Sequence, residues 1–285
     1  MRSLSRAATA PLIQQALHED AAGHDVTSRA TLPATLRIRA RIVAHAPGVL
    51  AGSPLALQTF TMVDPSLRCR LVRAEGSTLT KGSTVLTVTG TARSIFAAER
   101  TALNLLGHLS GIATLTAEFV RRTRGTQARI LDTRKTLPGL RLIEKYAVRI
   151  GGGVTHRTTL NDAILIKTNH FRALGSLRER TQLIRAATAR AKRVRPKRFV
   201  EVEVTTLREF QAALAAQPDA ILLDNWRTAD IHKAVALRGR GPLLEVSGGV
   251  TLANVRAIAN TDVDRISIGR LTHSASSLDL SLEVY

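Results

Sequence analysis

The first third of the chain is dominated by short segments in which apolar and polar residues alternate. Leu36–Val43 and Ser83–Val88 are two such segments, and residues that favour turns separate them. Alternation of this kind is typical of an antiparallel sheet with one covered face and one exposed face. A helix is predicted to follow this sheet, from the candidate N-cap Ser94 to about Leu106.

After about residue 107 the pattern changes to apolar strand candidates that alternate with helical stretches. The strand candidates are Ala128–Leu131, Ala163–Lys167, Phe199–Val204, Ala220–Asp224, Leu243–Val246 and Arg265–Ile268. The helical candidates include Leu177–Arg190, Leu207–Ala216, Ala229–Leu237 and Leu252–Ala259. Near-continuous apolar strands separated by helices indicate a parallel sheet that is buried on both faces. Six or seven strands are fewer than a complete α/β barrel requires.

Almost every predicted strand of this second part is followed by a residue able to do chemistry. Asp132, Lys167 and Asp224 stand at the ends of three strands, and Ser247 and Gly269 follow two others. In α/β barrels the active site lies at the carboxyl ends of the strands. The shared position of these residues therefore predicts an enzyme.

The strand Phe199–Val204 alternates valine with glutamate. Its period of two places Glu201 and Glu203 on one face, and the valines on the other face are expected to pack against helices. Carboxylates inside a barrel are costly unless a cation or a metal accompanies them. We therefore expect these two residues to face the barrel interior and to serve the site, with a purely structural pair as the alternative.

The composition narrows the class of ligand. The chain carries 41 Lys and Arg against 22 Asp and Glu, a net charge of +19, but aromatic residues are only 3%. Proteins that bind single-stranded nucleic acid use aromatic residues to stack bases, so a small anionic substrate is the better interpretation of the cations, and no nucleic-acid partner is expected. Cys69 is the single cysteine, which excludes an internal disulfide and a cysteine zinc site.

Cations also cluster in the predicted loops. Arg134 and Lys135 follow the strand that ends at Leu131, and His156 and Arg157 follow three consecutive glycines. An arginine can hold a carboxylate or a phosphate through two parallel hydrogen bonds, and a lysine adds a point charge. These loops are therefore candidates for binding an anionic substrate.

Two glycine-containing turns after the last strands are candidates for a phosphate site. They are Ser247-Gly248-Gly249, which is predicted to enter a helix, and Ser267-Ile268-Gly269. The free N–H groups and the dipole of a helix N-terminus favour an anion. Loops after the final strands of α/β barrels commonly bind phosphate.

Several motifs, taken together and in order, resemble the quinolinate phosphoribosyltransferases, from about Leu12 to Leu282. The motifs are Leu131-Asp132-Thr133-Arg134-Lys135-Thr136 with Pro138-Gly139, Glu144-Lys145-Tyr146-Ala147-Val148, His156-Arg157, Ile164-Leu165-Ile166-Lys167 with Asn169-His170, Glu201-Val202-Glu203-Val204, Leu223-Asp224-Asn225, Ser247-Gly248-Gly249 and Leu271-Thr272-His273-Ser274. The sequence departs from the family pattern at His24, Thr155, Thr158, Thr159, Thr205 and Thr206.

The resemblance implies a reaction, a fold and partners. Quinolinate and phosphoribosyl pyrophosphate would give nicotinate mononucleotide, pyrophosphate and carbon dioxide, with Mg²⁺, as a step of NAD biosynthesis. The fold would be α/β plus α+β: an N-terminal open-faced sandwich domain, 1–107, joined by the tail 271–285, and an incomplete, TIM-like α/β barrel, 108–270. The protein would be a homodimer whose active sites are shared between subunits. Because no apolar run approaches the ~20 residues that span a membrane, we expect a cytoplasmic protein.

The resemblance also implies roles for individual residues. The catalytic residues would be Lys135, Lys167, Glu201 and Asp224. The substrate-binding residues would be Arg100, Thr133, Arg134, Lys135, His156, Arg157, Lys167, Glu201, Asp224, Ser247, Gly248, Gly249, Ser267, Ile268 and Gly269. Glu201 and Asp224 would hold Mg²⁺, directly or indirectly.

Other functions are left open by the residues themselves. A related enzyme of the same fold, of the molybdenum-transport-associated type, would act on another acceptor. Lys167 at a strand end could form a Schiff base, although nearby Glu201 and Asp224 would raise its pKa and disfavour this chemistry. A nucleic-acid binder would account for the charge but would leave the residues at the strand ends unexplained.

Overall fold

The computed structural model describes residues 4–176 and 179–285, and the chain forms two compact units. The first unit comprises the residues up to 117 together with 136–152 and 271–285. The second unit comprises 118–135 and 153–270. The domain boundaries expected from the sequence stay a prediction: a sandwich domain of 1–107 with 271–285, and a barrel of 108–270.

The described residues contain both helices and strands in each unit. The helices are α1 (Arg6–Glu19), α2 (Val26–Thr31), α3 (Ser53–Val63), α4 (Ala92–Arg122), α5 (Arg141–Ile150), α6 (Thr168–Leu174), α7 (Arg180–Lys192), α8 (Leu207–Ala216), α9 (Thr228–Arg238), α10 (Val255–Ala259) and α11 (Arg270–His273). The strands are β1 (Arg37–Ala44), β2 (Gly48–Val49), β3 (Arg68–Leu71), β4 (Thr78–Leu79), β5 (Thr84–Thr91), β6 (Arg129–Leu131), β7 (Ala163–Ile166), β8 (Phe199–Val204), β9 (Ala220–Asp224), β10 (Leu243–Ser247), β11 (Arg265–Ser267) and β12 (Leu280–Val284).

The first unit is built on an antiparallel sheet with strand order β12-β1-β5-β3. On β1, Ala40 and Ile42 are fully buried while Arg39 and Arg41 are exposed. Ile42 pairs in register with the buried Leu86 of β5. The alternation in the sequence therefore predicts correctly a sheet with one covered face.

Helix α4 is much longer than the sequence pattern suggested. It does not end near Leu106 but continues to Arg122. The sequence pattern changes near residue 107, but no helix ends there. Gly107 and Gly111 instead allow the backbone of 276–278 to approach α4. The N–H of Leu278 donates to the carbonyl of Gly107 over 2.9 Å, and a Cβ on Gly111 would overlap the carbonyl oxygen of Ser276.

The second unit is built on a parallel sheet with strand order β6-β11-β10-β9-β8-β7, so β6 and β7 are its edges. Each strand lies within one residue of its predicted bounds, and α8 matches its prediction. Helix α10 begins three residues later than expected, at Val255. The start of the helix predicted over Leu177–Arg190 lies outside the described residues, and α7 begins at Arg180.

The two units together confirm the predicted fold class of a partial α/β barrel with an open-faced sandwich. None of the helices in the described ranges combines the length and the apolar character needed to cross a membrane.

Substituting Gly111 by alanine should destabilise the protein, although alanine is the better helix former. The added Cβ meets the backbone of Ser276, which cannot turn away as a side chain can. We expect a loss of about 1–3 kcal/mol in the free energy of unfolding, measured by chemical denaturation. Gly23→Ala is the matched control, because no atom lies within 4 Å of its added Cβ. Equal stabilities of the two variants would contradict the close approach.

Candidate active site

Three neighbouring strands of the parallel sheet end in a row of polar side chains. Ser247 of β10 is paired in register with Asp224 of β9 on one side and with Ser267 of β11 on the other. Residues paired in register on adjacent parallel strands lie side by side and point to the same face. The structure thus brings together three of the predicted site residues at the carboxyl edge of the sheet.

Strand β8 contributes two carboxylates to the same face. Glu201 is 1% exposed, whereas Glu203 is half-buried. Glu203 Oε1 accepts a hydrogen bond of 2.9 Å from the N–H of Thr168, at the beginning of α6. This bond ties the end of β8 to the loop that carries Lys167.

Asp224 lies in a mixed electrostatic environment. Burial, and then the charge of Glu203, raise its pKa, while Lys167 and Lys135 act in the opposite direction. Two carboxylates and two lysines therefore lie within electrostatic range of one another at the carboxyl edge. Such a group of charges can hold an anion and a cation at the same time.

The turn after β10 depends on its glycines. Gly248 and Gly249 have φ of +87° and +61°, which favour glycine. A Cβ on Gly248 would overlap the side-chain amide of Asn225. The backbone N–H of Asn225 donates to the carbonyl of Ser247 over 2.8 Å. The predicted helix N-terminus does not follow directly, because α10 begins only at Val255 and has five residues. The turn thus offers backbone N–H groups rather than a helix dipole.

The loop after β6 is held by a buried aspartate. Asp132 has no exposed surface, and its Oδ1 accepts the N–H of His156 over 2.8 Å. Thr133 Oγ1 accepts the N–H of Lys135 over 3.0 Å, which shapes the turn that leaves Lys135 exposed. Ile268 donates its N–H to the carbonyl of Leu131, so the turn after β11 is fastened to the same strand end.

His156 faces two carboxylates in the interior of the second unit. Its Nδ1 lies 2.7 Å from the backbone N of Arg157. Nε2 lies 3.0 Å from Glu201 Oε2 and 3.4 Å from Glu245 Oε1. The charge of His156 acts to lower the pKa of Glu245, and the role of His156 toward a substrate stays a prediction.

Three other cations that the sequence analysis assigned to the site lie on different segments of the chain: Arg157, Lys167 and Arg100. Arg157 Nη1 donates to the carbonyl of Ala163 over 3.1 Å, and burial, followed by the charge of Arg134, lowers its pKa. Lys167 is exposed directly after β7. Arg100 is exposed on α4 in the first unit, whereas the other predicted site residues all belong to the second unit.

Two family models match the chain. The model for the quinolinate phosphoribosyl transferase N-terminal domain matches residues 25–110, and the model for the C-terminal domain matches residues 112–283.

The chain belongs to the quinolinate phosphoribosyltransferase family.

Curated and solved relatives agree with this assignment. The carboxylating nicotinate-nucleotide pyrophosphorylase of Mycobacterium leprae is 45% identical over 278 residues, 95% of each chain. The solved structure of the nicotinate-nucleotide pyrophosphorylase from Francisella tularensis has a TM-score of 0.92 at 36% identity, and the match covers 99% of this chain and 98% of that one. The resemblance stated from the motifs is thereby confirmed.

Within this quinolinate phosphoribosyltransferase fold, Glu245 is a residue that the sequence analysis missed. It has no exposed surface, and burial, together with the charge of Glu201, raises its pKa to about 7. Arg265 Nη1 lies 4.0 Å from its Oε2. A signal was present, since Glu245 precedes Ser247 by two residues and so must share its face of the strand.

Glu203 was recognised on the interior face but not assigned a role. The structure places it, rather than Glu201, as the carboxylate that acts on Asp224. Glu201 lies deeper, beside His156. Strand alternation cannot distinguish these two depths, because both residues point the same way.

One group of the described residues has the spacing of a metal site. The ligand atoms of His156, Glu201 and Glu245 all lie within 4.8 Å of one another. Nε2 of His156 lies within hydrogen-bond distance of Glu201 Oε2, so the members of this group already contact one another. Mg²⁺ also prefers oxygen ligands and retained waters, which favours the more open carboxyl edge around Asp224.

Glu245→Gln should change how the stability of the protein depends on pH. The pKa of Glu245 rises on folding from 4.5 to about 7, so between these values the folded state binds more protons than the unfolded state. Stability therefore falls as the pH rises through this window. The variant should lack this loss, measured as the free energy of unfolding at pH 5 and pH 8. The same slope in both proteins would show that Glu245 titrates as in the unfolded chain.

Proposed function

We propose that this chain transfers the phosphoribosyl group of phosphoribosyl pyrophosphate to quinolinate and releases carbon dioxide, which gives nicotinate mononucleotide and pyrophosphate. Family membership supports this proposal. The observation that carries it is the placement of Lys135, Lys167, Glu203 and Asp224 in one electrostatic group at the carboxyl edge of the sheet. A substrate pair with two carboxylates, a phosphate and a pyrophosphate needs cations, and a ribose needs carboxylates nearby.

The cations divide naturally between the two substrates. Arg134, Arg157 and Lys167 would bind the carboxylates of quinolinate, because arginine pairs with a carboxylate through two hydrogen bonds. Lys135 and the turns 247–249 and 267–269 would bind the phosphates. His156 would position Glu201, which its Nε2 contacts.

The chemistry then proceeds in two steps. The ring nitrogen of quinolinate attacks C1 of the ribose, and the bond from C1 to pyrophosphate breaks with its electron pair leaving on pyrophosphate. The ring nitrogen is now cationic. The bond from the adjacent ring carbon to its carboxylate breaks, carbon dioxide departs, and the electron pair remains on that carbon until a proton from solvent replaces the lost group.

The carboxylates act on the first step. Positive charge develops on the ribose as pyrophosphate departs, and a fixed negative charge stabilises it most when it is already in place. Asp224 would supply that charge at the carboxyl edge, with Glu201 behind it. The loops would hold the two substrates in position for attack.

Mg²⁺ belongs to the same proposal. Asp224 and Glu203 are two carboxylates close enough for one to raise the pKa of the other, and such oxygen-rich sites suit Mg²⁺. Asp224 would hold the ion, with Glu203 or Glu201 binding it through water. When bound, the ion would neutralise the pyrophosphate that leaves.

The first test follows carbon dioxide. Quinolinate labelled in the carboxylate beside the ring nitrogen should release one labelled carbon dioxide per nucleotide formed. Nicotinate should be at least about tenfold poorer in kcat/KM, because a cation of the site would lose its carboxylate partner. Nucleotide formation without labelled carbon dioxide, or a preference for nicotinate, would refute the proposed reaction.

Asp224→Asn tests the carboxyl edge. We expect kcat to fall on the order of 100-fold and the Mg²⁺ concentration for half-maximal activity to rise. Asp230→Asn removes the same charge from α9, where Asp230 pairs with Lys233 over 2.9 Å, and should leave both quantities unchanged. Equal behaviour of the two variants would remove Asp224 from the proposed site.

We further propose a homodimer in which Arg100 completes the site of the partner subunit. Arg100→Ala and Lys167→Ala should each be inactive alone. A mixed dimer then has one site with both lesions and one site with neither, so random exchange should restore about a quarter of the wild-type activity. No recovery after demonstrated exchange would contradict a shared site. The cytoplasmic location stays a prediction.

A further inference from the structure

A cavity of about 310 Å³ lies at the amino ends of the strands in the second unit. Its lining includes the first residues of four strands: Arg129 of β6, Ala163 of β7, Phe199 of β8 and Arg265 of β11. The lining also includes Leu131, the last residue of β6, together with His156 and Arg157, so the cavity borders the candidate active site. Its volume is at the lower end of the range of about 300–1,000 Å³ for small-molecule pockets.

Two arginines stand side by side in its wall. Arg129 and Arg265 are paired in register on the adjacent strands β6 and β11, and both line the cavity. Like charges in this position repel one another, although Arg129 is exposed to solvent. Within the described residues, the side chain of Arg129 makes no hydrogen bond or ion pair. An anion between the two guanidinium groups would remove the repulsion.

Arg265 is held in position by its other neighbours. Its guanidinium carbon lies 5.0 Å from the centre of the Phe199 ring, and its Nη1 lies 4.0 Å from Glu245 Oε2. At 4.0 Å this is a long ion pair, so the guanidinium keeps donors for a further partner. The group is thus oriented in advance rather than free to move into solvent.

The rest of the lining does not supply the missing negative charge. Asp162 is the acidic residue among the described lining residues, and its oxygens accept from the N–H groups of Thr158 and Thr159 and from the Thr159 hydroxyl, over 2.6–2.9 Å. Arg157 also lines the cavity. Arg265 is paired with Glu245, and Glu201 and Asp162 act on Arg157. Arg129 is therefore the arginine of this lining that has no acidic partner among the described residues.

We propose that this cavity is a binding site for a small oxyanion with two negative charges, such as inorganic phosphate, held between Arg129 and Arg265. Guanidinium groups suit this ligand because each presents paired N–H donors to two oxygens of a phosphate. Arg157, which the proposed function assigns to quinolinate, also lines the cavity; the inference concerns the pair Arg129 and Arg265 and does not depend on the proposed reaction.

The variant Arg129→Gln tests the site without disturbing the fold, because the Arg129 side chain makes no described contact that the structure depends on. Arg185→Gln is the matched control: Arg185 is exposed on α7 in the same unit, and the substitution removes the same charge. Titration with inorganic phosphate, followed by thermal unfolding, compares the two. Both variants keep the glycine turns at the carboxyl edge, so any phosphate bound there contributes equally.

We expect Arg129→Gln to need at least about tenfold more phosphate than Arg185→Gln for the same rise in Tm, since a charge-assisted pair is lost. Crystals of the full chain soaked in selenate should show an anomalous peak between Arg129 and Arg265, absent from Arg129→Gln. Equal titrations, or a selenate peak only at the glycine turns, would overturn the proposal. A raised KM for quinolinate in Arg129→Gln, with no such peak, would assign the cavity to the acceptor site and would also overturn it.

Discussion

The need to accommodate carboxylates in the interior of the parallel sheet determines the position of the segment around His156. Glu201 and Glu245 are at most 1% exposed, and buried carboxylates are costly without donors. Nε2 of His156 lies between them. The ring is held from the other side by the N–H of Arg157, and the backbone of His156 is held by the buried Asp132. The same hydrogen bonds hold the backbone of Arg157, and so fix the position from which its side chain extends.

This polar interior differs from the aliphatic layers that usually fill an α/β barrel. The inward positions of β8 carry Glu201 and Glu203, and those of the neighbouring strands β10 and β11 carry Glu245 with Ser247 and Arg265 with Ser267. Glu201, Glu245 and Arg265 are charged groups within the sheet, whereas Ser247 and Ser267 stand at the carboxyl edge beside Asp224 of β9.

The glycines serve close approach more than flexibility. Gly248 leaves room for the amide of Asn225 beside Asp224, and Gly111 leaves room for the backbone that leads into β12. Gly151, the first of three consecutive glycines, would bring a Cβ against the carbonyl of Ala113. In each case the absent side chain is replaced by another part of the chain, so these positions are fixed by packing.

The sequence by itself determined the fold class, the bounds of the parallel strands to within one residue and the edge at which Asp224, Ser247 and Ser267 meet. These features follow from local patterns: a period of two on β8, apolar runs on the parallel strands, and the rule that parallel strands end together. The family resemblance was equally readable, because its motifs are contiguous.

Only the tertiary structure decided the depth and the charge of each group. Glu201 and Glu203 point the same way along β8, yet one meets His156 and the other acts on Asp224. The contacts of His156 with Glu201 and Glu245 join a loop to two strands, and the pKa of Glu245 depends on burial and on a carboxylate of another strand. Helix α4 likewise contacts, at Gly107 and Gly111, a segment more than 160 residues later in the chain. The alternation of residues along a strand predicts the direction of a side chain. The desolvation and the charge state of that side chain depend on which distant residues the fold brings within a few ångströms.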